Sequence, residues 1–291
     1  MKHLQFSKLQ TVAYSNSLIK LCAEAVASED EVLFDLSKTE FIAPFGIVLL
    51  AGTISERLAQ GRKSKYRRPN KDATRKFLSG IGFNDFFRIS GDAHRIQSPK
   101  VQLRRLYQID YLLIDQVLGV FESSIRMSKG VRSSLRLALN ELMTNAFDHS
   151  ESERGCYVCA QTYPQKKKIR LCITDFGIGI RKALKKSPEY KHLESDEESI
   201  LLAVQEGITS REKTTAGYGL SHINRFMNVN DGKMHILSGK GKIMWDYSSS
   251  RKYRGKKQTM HFPFIGTIIN LLINADREGL YFMQTDDGQI F

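Results

Sequence analysis

The stretch LRLALNELMTNAFDHS, residues 135–150, decides the fold. Its apolar residues recur at helical spacing and predict an amphipathic helix packed against a core, with the apolar stripe at Leu135, Leu139, Leu142 and Ala146. Glu141, Asn145 and Asp148 gather on a neighbouring stripe. A carboxylate and a carboxamide one turn apart can hold a hard cation together with water, and such oxygen ligands suit Mg²⁺. The polar edge of any amphipathic helix would show the same pattern.

A second element follows, where alternating apolar residues over 169–173 predict a strand that runs into TDFGIGI. Asp175 is therefore expected at the strand end, with Gly177 and Gly179 after it. A carboxylate in this place can accept a hydrogen bond from an exocyclic amine, and glycines let the backbone approach a ligand closely. Many ordinary turns have this composition, so the element is weak evidence by itself.

The third element is TTAGYGLSHI, residues 214–223. Gly217 and Gly219 precede a predicted helix that Leu220 opens. A glycine loop that leads into a helix N-terminus favours phosphate, because free N–H groups and the helix dipole both attract anions. The long polar segment before it, 206–218, could close over a nucleotide.

In this order and spacing, the three elements resemble the N-box and the two glycine boxes of the GHKL superfamily, the class of gyrase, Hsp90, histidine kinases and MutL. The anti-sigma-factor kinases and related HATPase domains are the most similar members. Their N-box, E-x-x-x-N-A-x-x-H, is matched by Glu141, Asn145, Ala146 and His149. The closing stretch FIGTIINLLI resembles the Gly-Thr strand that ends such domains. The resemblance covers about residues 101–273.

The resemblance implies a Bergerat-type two-layer α/β sandwich with ATP between its helices and a mobile loop. Asn145 would bind Mg²⁺, Asp175 would read the adenine amine, and Glu141 would be the general base for water or a substrate hydroxyl. Gly177 and Gly179 would flank the base. The phosphate lid would include Thr215, Gly217, Gly219 and Leu220. His149 is either a phosphate contact or a helix cap.

The first part of the chain is expected to be a separate small α/β domain, 1–90, joined by a linker, 91–100, to the ATP-binding domain, 101–291. Residues 34–51, FDLSKTEFIAPFGIVLLA, resemble the STAS domains of anti-sigma-factor antagonists, with Phe41, Ile42 and Gly46 in matching places. Phe45 stands where that family carries its phosphorylated serine. Any small α/β unit with a Pro-Phe-Gly turn would also fit.

The chain is basic: 44 Lys and Arg residues against 31 Asp and Glu give a net charge of +13. This excess favours anionic partners. A basic run surrounds Tyr66, namely Arg62, Lys63, Lys65, Arg67, Arg68 and Lys71. It could follow a nucleic acid backbone, but we favour the simpler interpretation of a solvated face.

The four cysteines indicate no disulfide framework. Cys156 and Cys159 have CxxC spacing, but in a strand positions three apart point to opposite faces, so we expect buried thiols. No apolar segment resembles a signal peptide or reaches the length of a membrane span. We therefore expect a cytoplasmic protein that makes no contact with a membrane.

The sequence thus predicts an ATP-binding regulatory protein that hydrolyses ATP slowly with Mg²⁺ and passes its bound state to a protein partner through lid closure. Two alternatives stay open. One is a protein serine/threonine kinase of the anti-sigma type acting on a partner. The other is a non-catalytic module that binds nucleotide or nucleic acid.

Overall fold

A five-stranded antiparallel sheet forms the centre of the molecule. The computed structural model describes residues 1–7, 9, 12–87, 100–152, 154–205, 208, 219–248 and 253–275. The helices are α1 (Ser15–Ala27), α2 (Pro44–Ala59), α3 (Asp72–Gly80), α4 (Tyr111–Glu122), α5 (Lys129–Thr144), α6 (Ile180–Leu184), α7 (Asp196–Ala203) and α8 (Gly219–Val229). The strands are β1 (Lys2–Gln5), β2 (Val32–Asp35), β3 (Ser64–Arg67), β4 (Lys100–Leu106), β5 (Cys156–Tyr163), β6 (Lys168–Asp175), β7 (Lys233–Asp246) and β8 (Tyr253–Asn274).

The large sheet has the strand order β4-β5-β6-β8-β7, and helices α4, α5 and α8 cover one of its faces. Two side-chain caps fix where the first two of these helices begin: Asp110 accepts from the N–H of Leu113, and Ser128 accepts from the N–H of Val131. The resulting α/β sandwich confirms the predicted fold class.

The second face of the large sheet is also buried, under α1 and α2. The cysteines show the division between the two faces. Cys156 belongs to the core beneath α4, α5 and α8, whereas Cys159 belongs to the core beneath α1 and α2. Both are free, buried thiols, as are Cys22 and Cys172, which confirms the prediction for this CxxC pair.

The N-terminal segment forms a small parallel sheet, in the order β1-β2-β3, with α1 and α2 as its crossover helices. Helix α2 lies between this sheet and the large one, so it is buried continuously from Pro44 to Arg57. A helix that is apolar all round is expected in such a position. The segments before and after the predicted linker therefore share one core.

The predicted domain division and the STAS resemblance stay predictions. Most of the predicted linker, 91–100, lies outside the described residues, and Lys100 already begins β4. Phe45, at the place of the family's phosphorylated serine, is only 1% exposed and packs in the shared core.

Strand β3 lies inside the basic run, where no strand was expected. It is an edge strand, and its residues alternate between half-buried and exposed. Lys65 forms an ion pair with Glu31 at 2.9 Å, and Arg67 forms one with Asp35 at 2.7 Å. Charged side chains are typical of exposed sheet edges. This arrangement favours the interpretation of the run as a solvated face.

No helix in the described ranges is both long and apolar enough to cross a bilayer.

Arg57, at the end of α2, is completely buried and binds backbone rather than carboxylates. One guanidinium nitrogen donates to the carbonyls of Ala25 and Ser28, the other to those of Asp30 and Lys63. The planar guanidinium can serve all of these acceptors at once. It thus joins the end of α1, the entry to β2 and the entry to β3.

We expect Arg57→Lys to lower the free energy of unfolding by about 2 kcal/mol or more, because one ammonium group cannot satisfy this set of buried carbonyls. Urea titration of the full chain would measure the change. Arg75→Lys, at an exposed ion pair with Asp72, is the matched control and should change stability by less than about 0.5 kcal/mol. Equal stability of both variants would contradict the assigned role of Arg57.

Candidate functional site

Asp175 ends strand β6, as predicted, and the residue is 5% exposed. The N–H groups of Gly177 and Thr267 both donate to its Oδ1 atom, at 2.9 and 3.2 Å. The first bond closes a tight turn after the strand, and the second ties the turn to β8. Two bonds to one oxygen fix the direction of the carboxylate.

Burial raises the pKa of Asp175 to about 7, although the backbone N–H groups of Gly177 and Thr267 act in the opposite direction. Both donors are uncharged, so neither compensates for the loss of solvation as a cation would. The carboxyl group therefore changes its ionisation near neutral pH. A strongly shifted acid at a strand end is a candidate for function.

The glycines after Asp175 allow the loop to pack against its neighbours. A Cβ atom on Gly177 would lie 1.8 Å from the carbonyl oxygen of Ser150. That carbonyl accepts from the N–H of Ile178 at 2.7 Å, which connects the loop to the end of the N-box. Gly179 has a φ of +80°, and a Cβ there would lie 2.8 Å from Oγ of Ser238.

Glu141 lies near the end of α5 and is half-buried. Its Oε2 atom is buried and receives no hydrogen bond from the described part of the chain. Burial raises the pKa of this carboxyl group as well. Leaving a buried carboxylate oxygen unpartnered is costly in a protein interior. An oxygen of this kind is suited to meet a ligand or a water molecule.

Asn145 begins a π-helical turn, Asn145–His149, where a continuous α-helix to residue 150 was expected. Such turns occur frequently at functional sites. The π-helical turn begins four residues after Glu141, where α5 ends, and Asn145 is half-buried. The turn also contacts β6. The side chain of His149 is outside the described part of the structure, so its role stays a prediction.

Helix α8 begins at Gly219, one residue before the predicted start at Leu220, and packs against α5. Thr215 and Gly217 lie outside the described residues, together with the rest of the predicted lid, 206–218, except Ile208. Their assignment to the lid is therefore untested.

Three residues of this region were missed by reasoning from the sequence. Ser150 contributes its carbonyl, Thr267 its N–H, and Ser238 a hydroxyl that accepts from the N–H of Ile180 and donates to the carbonyl of Gly266. Thr267 belongs to the Gly-Thr pair of the closing strand, which was a usable signal. Ser238 follows no pattern in the sequence.

Among the described residues, no three His, Cys, Asp or Glu side chains come together as a group of metal ligands. A Mg²⁺ ion at Asn145 would therefore depend on phosphate oxygens and water for its other ligands. That is a common arrangement for Mg²⁺ in nucleotide sites.

Comparison with known families agrees with this geometry. Residues 130–266 match the model of the family described as histidine kinase-, DNA gyrase B-, and HSP90-like ATPase. The match begins at the start of α5, ends at Gly266 in β8 and contains every predicted site residue. It supports ATP binding. No curated protein is significantly similar to the chain. Residues 130–266 are thus a GHKL-type ATPase domain.

Proposed function

We propose that this protein binds ATP with Mg²⁺ and hydrolyses it slowly, and that its bound state controls a protein partner. The observation that carries the catalytic part is the carboxylate of Glu141. Its Oε2 atom is buried, unpartnered within the described residues and close in sequence to the predicted Mg²⁺ ligand, Asn145. A buried carboxylate oxygen without a hydrogen-bond partner among the described residues is available to a water molecule or a ligand.

Recognition of adenine rests on Asp175. Its Oδ1 atom already accepts from two backbone N–H groups, which leaves the carboxylate held in one orientation. The adenine amine would donate to this carboxylate. Because the residue is buried, such a bond would discriminate strongly against bases without an amine in that place.

The residues present fit a Mg²⁺ ion, since Asn145 offers an amide oxygen four residues after Glu141, whose Oε2 atom has no partner among the described residues. When bound, the ion would neutralise negative charge on the phosphates of ATP. Asn145 would hold it, and Gly219 and Leu220, at the N-terminus of α8, would supply N–H groups to the phosphates.

Glu141 would take a proton from a water molecule positioned for attack. Burial raises its pKa, which makes the ionised carboxylate a stronger base than an exposed glutamate. The same group could act on a partner's hydroxyl, as in a protein kinase. The buried Phe45 offers no hydroxyl in the chain's own antagonist-like loop, so self-phosphorylation at that loop is not expected.

Incubation of the full chain with γ-labelled ATP, alone and with cell lysate, tests the reaction type. Release of free phosphate by the chain alone is expected. Label transferred to a lysate protein would instead establish the kinase alternative. ATP binding without either product would favour the non-catalytic alternative.

We expect Asp175→Asn to weaken ATP binding by about 10²-fold or more, because the amide presents a donor where the adenine amine needs an acceptor. The asparagine oxygen can still accept from Gly177 and Thr267, so the fold should persist. Calorimetric titration with ATP measures the loss. Asp72→Asn, at an exposed carboxylate on α3, is the matched control. Full affinity in folded Asp175→Asn would exclude the proposed adenine contact.

The burial of Asp175 can also be tested without nucleotide, by comparing how the stabilities of wild type and Asp175→Asn depend on pH. A carboxyl group with a raised folded pKa stabilises the fold below its unfolded pKa, near 4, and this contribution is lost as pH rises through about 7. Asp175→Asn should remove that decline. At about pH 8 the variant should be at least as stable as wild type by thermal unfolding.

Asn145→Ala should weaken ATP binding only when Mg²⁺ is present, because it removes a ligand of the ion and no contact to the base. ATP titrations of wild type and Asn145→Ala, with Mg²⁺ and with a chelator, distinguish the loss of a Mg²⁺ ligand from the loss of a direct contact to ATP. An equal loss of affinity with the chelator would show that Asn145 does not act through the ion.

We expect Glu141→Gln to lower kcat by about 10²–10⁴-fold with little change in ATP affinity, since glutamine keeps the shape but cannot accept the proton. Phosphate release under single-turnover conditions measures this. Glu122→Gln, at an exposed carboxylate that pairs with Arg132, should hydrolyse ATP like wild type. Unchanged turnover in Glu141→Gln would remove Glu141 as the base.

A further inference from the structure

Phe176 stands between Asp175 and Gly177, but its ring points to the other face of the large sheet. The ring packs edge-on against Tyr157 at 5.5 Å and against Phe264 at 5.4 Å, measured between ring centroids. It thereby joins the core that the N-terminal segment covers. Asp175 thus faces the candidate nucleotide site, whereas the adjacent Phe176 faces the N-terminal segment.

On that second face the ring meets Gly52 of helix α2. A Cβ atom on Gly52 would lie 2.0 Å from both Cε2 and Cζ of Phe176. The end of the ring therefore occupies the space that any side chain at position 52 would need. Helix α2 cannot yield easily, because it is buried along nearly its whole length.

The backbone beside Phe176 is enclosed as well. Gly266 has a φ of +104°, and a Cβ there would lie 2.3 Å from the carbonyl oxygen of Asp175 and 2.8 Å from Cα of Phe176. On the other side, Gly177 touches the Ser150 carbonyl. Close-packed interiors transmit displacement rather than absorb it. A shift of the ring would therefore move the turn that aims the Asp175 carboxylate.

A second contact of α2 reaches the other part of the site. Glu56, one turn after Gly52, is buried and forms an ion pair with the partly exposed side chain of Arg154, in the connection between the N-box and β5. The carbonyl of Arg154 accepts from Nε of Arg105 at 2.9 Å. One face of α2 therefore contacts Phe176, in the loop after β6, and Arg154, in the connection that follows the N-box.

We propose that Phe176 is a positioning residue for Asp175, and that α2 sets ATP affinity and adenine selectivity through the contact between Gly52 and Phe176. This inference rests on the proposed binding of ATP. Phe176 itself does not touch the nucleotide; it acts by holding the turn from Asp175 to Gly177. Coupling of this kind is reciprocal, so ATP binding also stabilises the position of α2.

The test is Gly52→Ala in the full chain, with ATP and GTP affinities measured by calorimetry. We expect ATP affinity to fall by about 5-fold or more. The preference for ATP over GTP should fall too, because guanine lacks the amine that Asp175 reads. A substitution that only destabilises the fold would lower the unfolding temperature and leave the selectivity of the folded protein unchanged.

Gly119→Ala, in helix α4, is the matched control because nothing lies within 4 Å of a Cβ built there. Alanine is favoured over glycine inside helices, so both substitutions gain about the same helix propensity. Gly119→Ala should keep wild-type affinity and selectivity. Equal affinities and selectivities in the two variants would overturn the inference.

Phe176→Leu provides a second, independent variant, because leucine ends before the positions of Cε2 and Cζ. Alone, it should reduce ATP affinity and selectivity by loosening the turn. Combined with Gly52→Ala, it makes room for the added methyl group, so the double variant should bind ATP better than Gly52→Ala. If Gly52→Ala does not fold, wild-type affinity and selectivity in Phe176→Leu would still overturn the proposal.

Hydrogen exchange without nucleotide separates this inference from the proposed function. The Gly177 amide, which donates to Asp175, should exchange faster in Gly52→Ala than in wild type or Gly119→Ala. Failure of the wild type to bind ATP would remove the proposed function, and with it the selectivity claim. Wild-type ATP binding with unchanged exchange and selectivity in Gly52→Ala would remove only the inference.

Discussion

Strands β5 and β6 are buried on both faces. Much of the remaining structure follows from the need to cover both faces of the sheet. Apolar surface on both sides of a sheet has to be covered, and burial of that surface is the main favourable term in folding. Helices α4, α5 and α8 cover one face, and the N-terminal segment supplies α1 and α2 for the other. The packed fold therefore extends beyond residues 130–266, which match the ATPase family. The second face of the sheet is completed by α1 and α2, which precede the matched residues 130–266 in the chain.

Two buried aspartates illustrate how partners determine the properties of a carboxylate. Burial acts to raise the pKa of both. At Asp35, hydrogen bonds from Ser37 and His3 and the charge of Arg67 outweigh it and hold the pKa at about 2. At Asp175 the donors are uncharged backbone groups, and the pKa rises to about 7. Asp35 is thus an ionised structural group whose charge is balanced by Arg67, whereas Asp175 is left able to respond to a ligand.

Local sequence patterns predicted the helix and the strand that carry the candidate site. They did not predict the features that depend on contacts between distant parts of the chain. Alternation placed Asp175 at the end of β6, and helical spacing placed Glu141 on α5. The π-helical turn at Asn145 was missed because α- and π-helices share the same apolar pattern over a single turn. The contact of Thr267 with Asp175 joins strands far apart in sequence. Strand β3 was missed because its charged side chains, which are typical of a sheet edge, do not give the apolar pattern of a strand. Whether Thr215 and Gly217 bind phosphate stays a prediction, since they lie outside the described residues.

Helix α2 has to satisfy two sheets at once, and this limits how the chain can vary. On one side it must match the small parallel sheet; on the other it must leave room for an aromatic ring and present a carboxylate to Arg154. A substitution that improves the fit to one sheet alters the fit to the other. The N-terminal segment therefore could not be exchanged for an unrelated module without changes in the ATPase sheet. A substitution on α2 that alters its fit to the large sheet should therefore need a compensating change in the sheet residues that it covers.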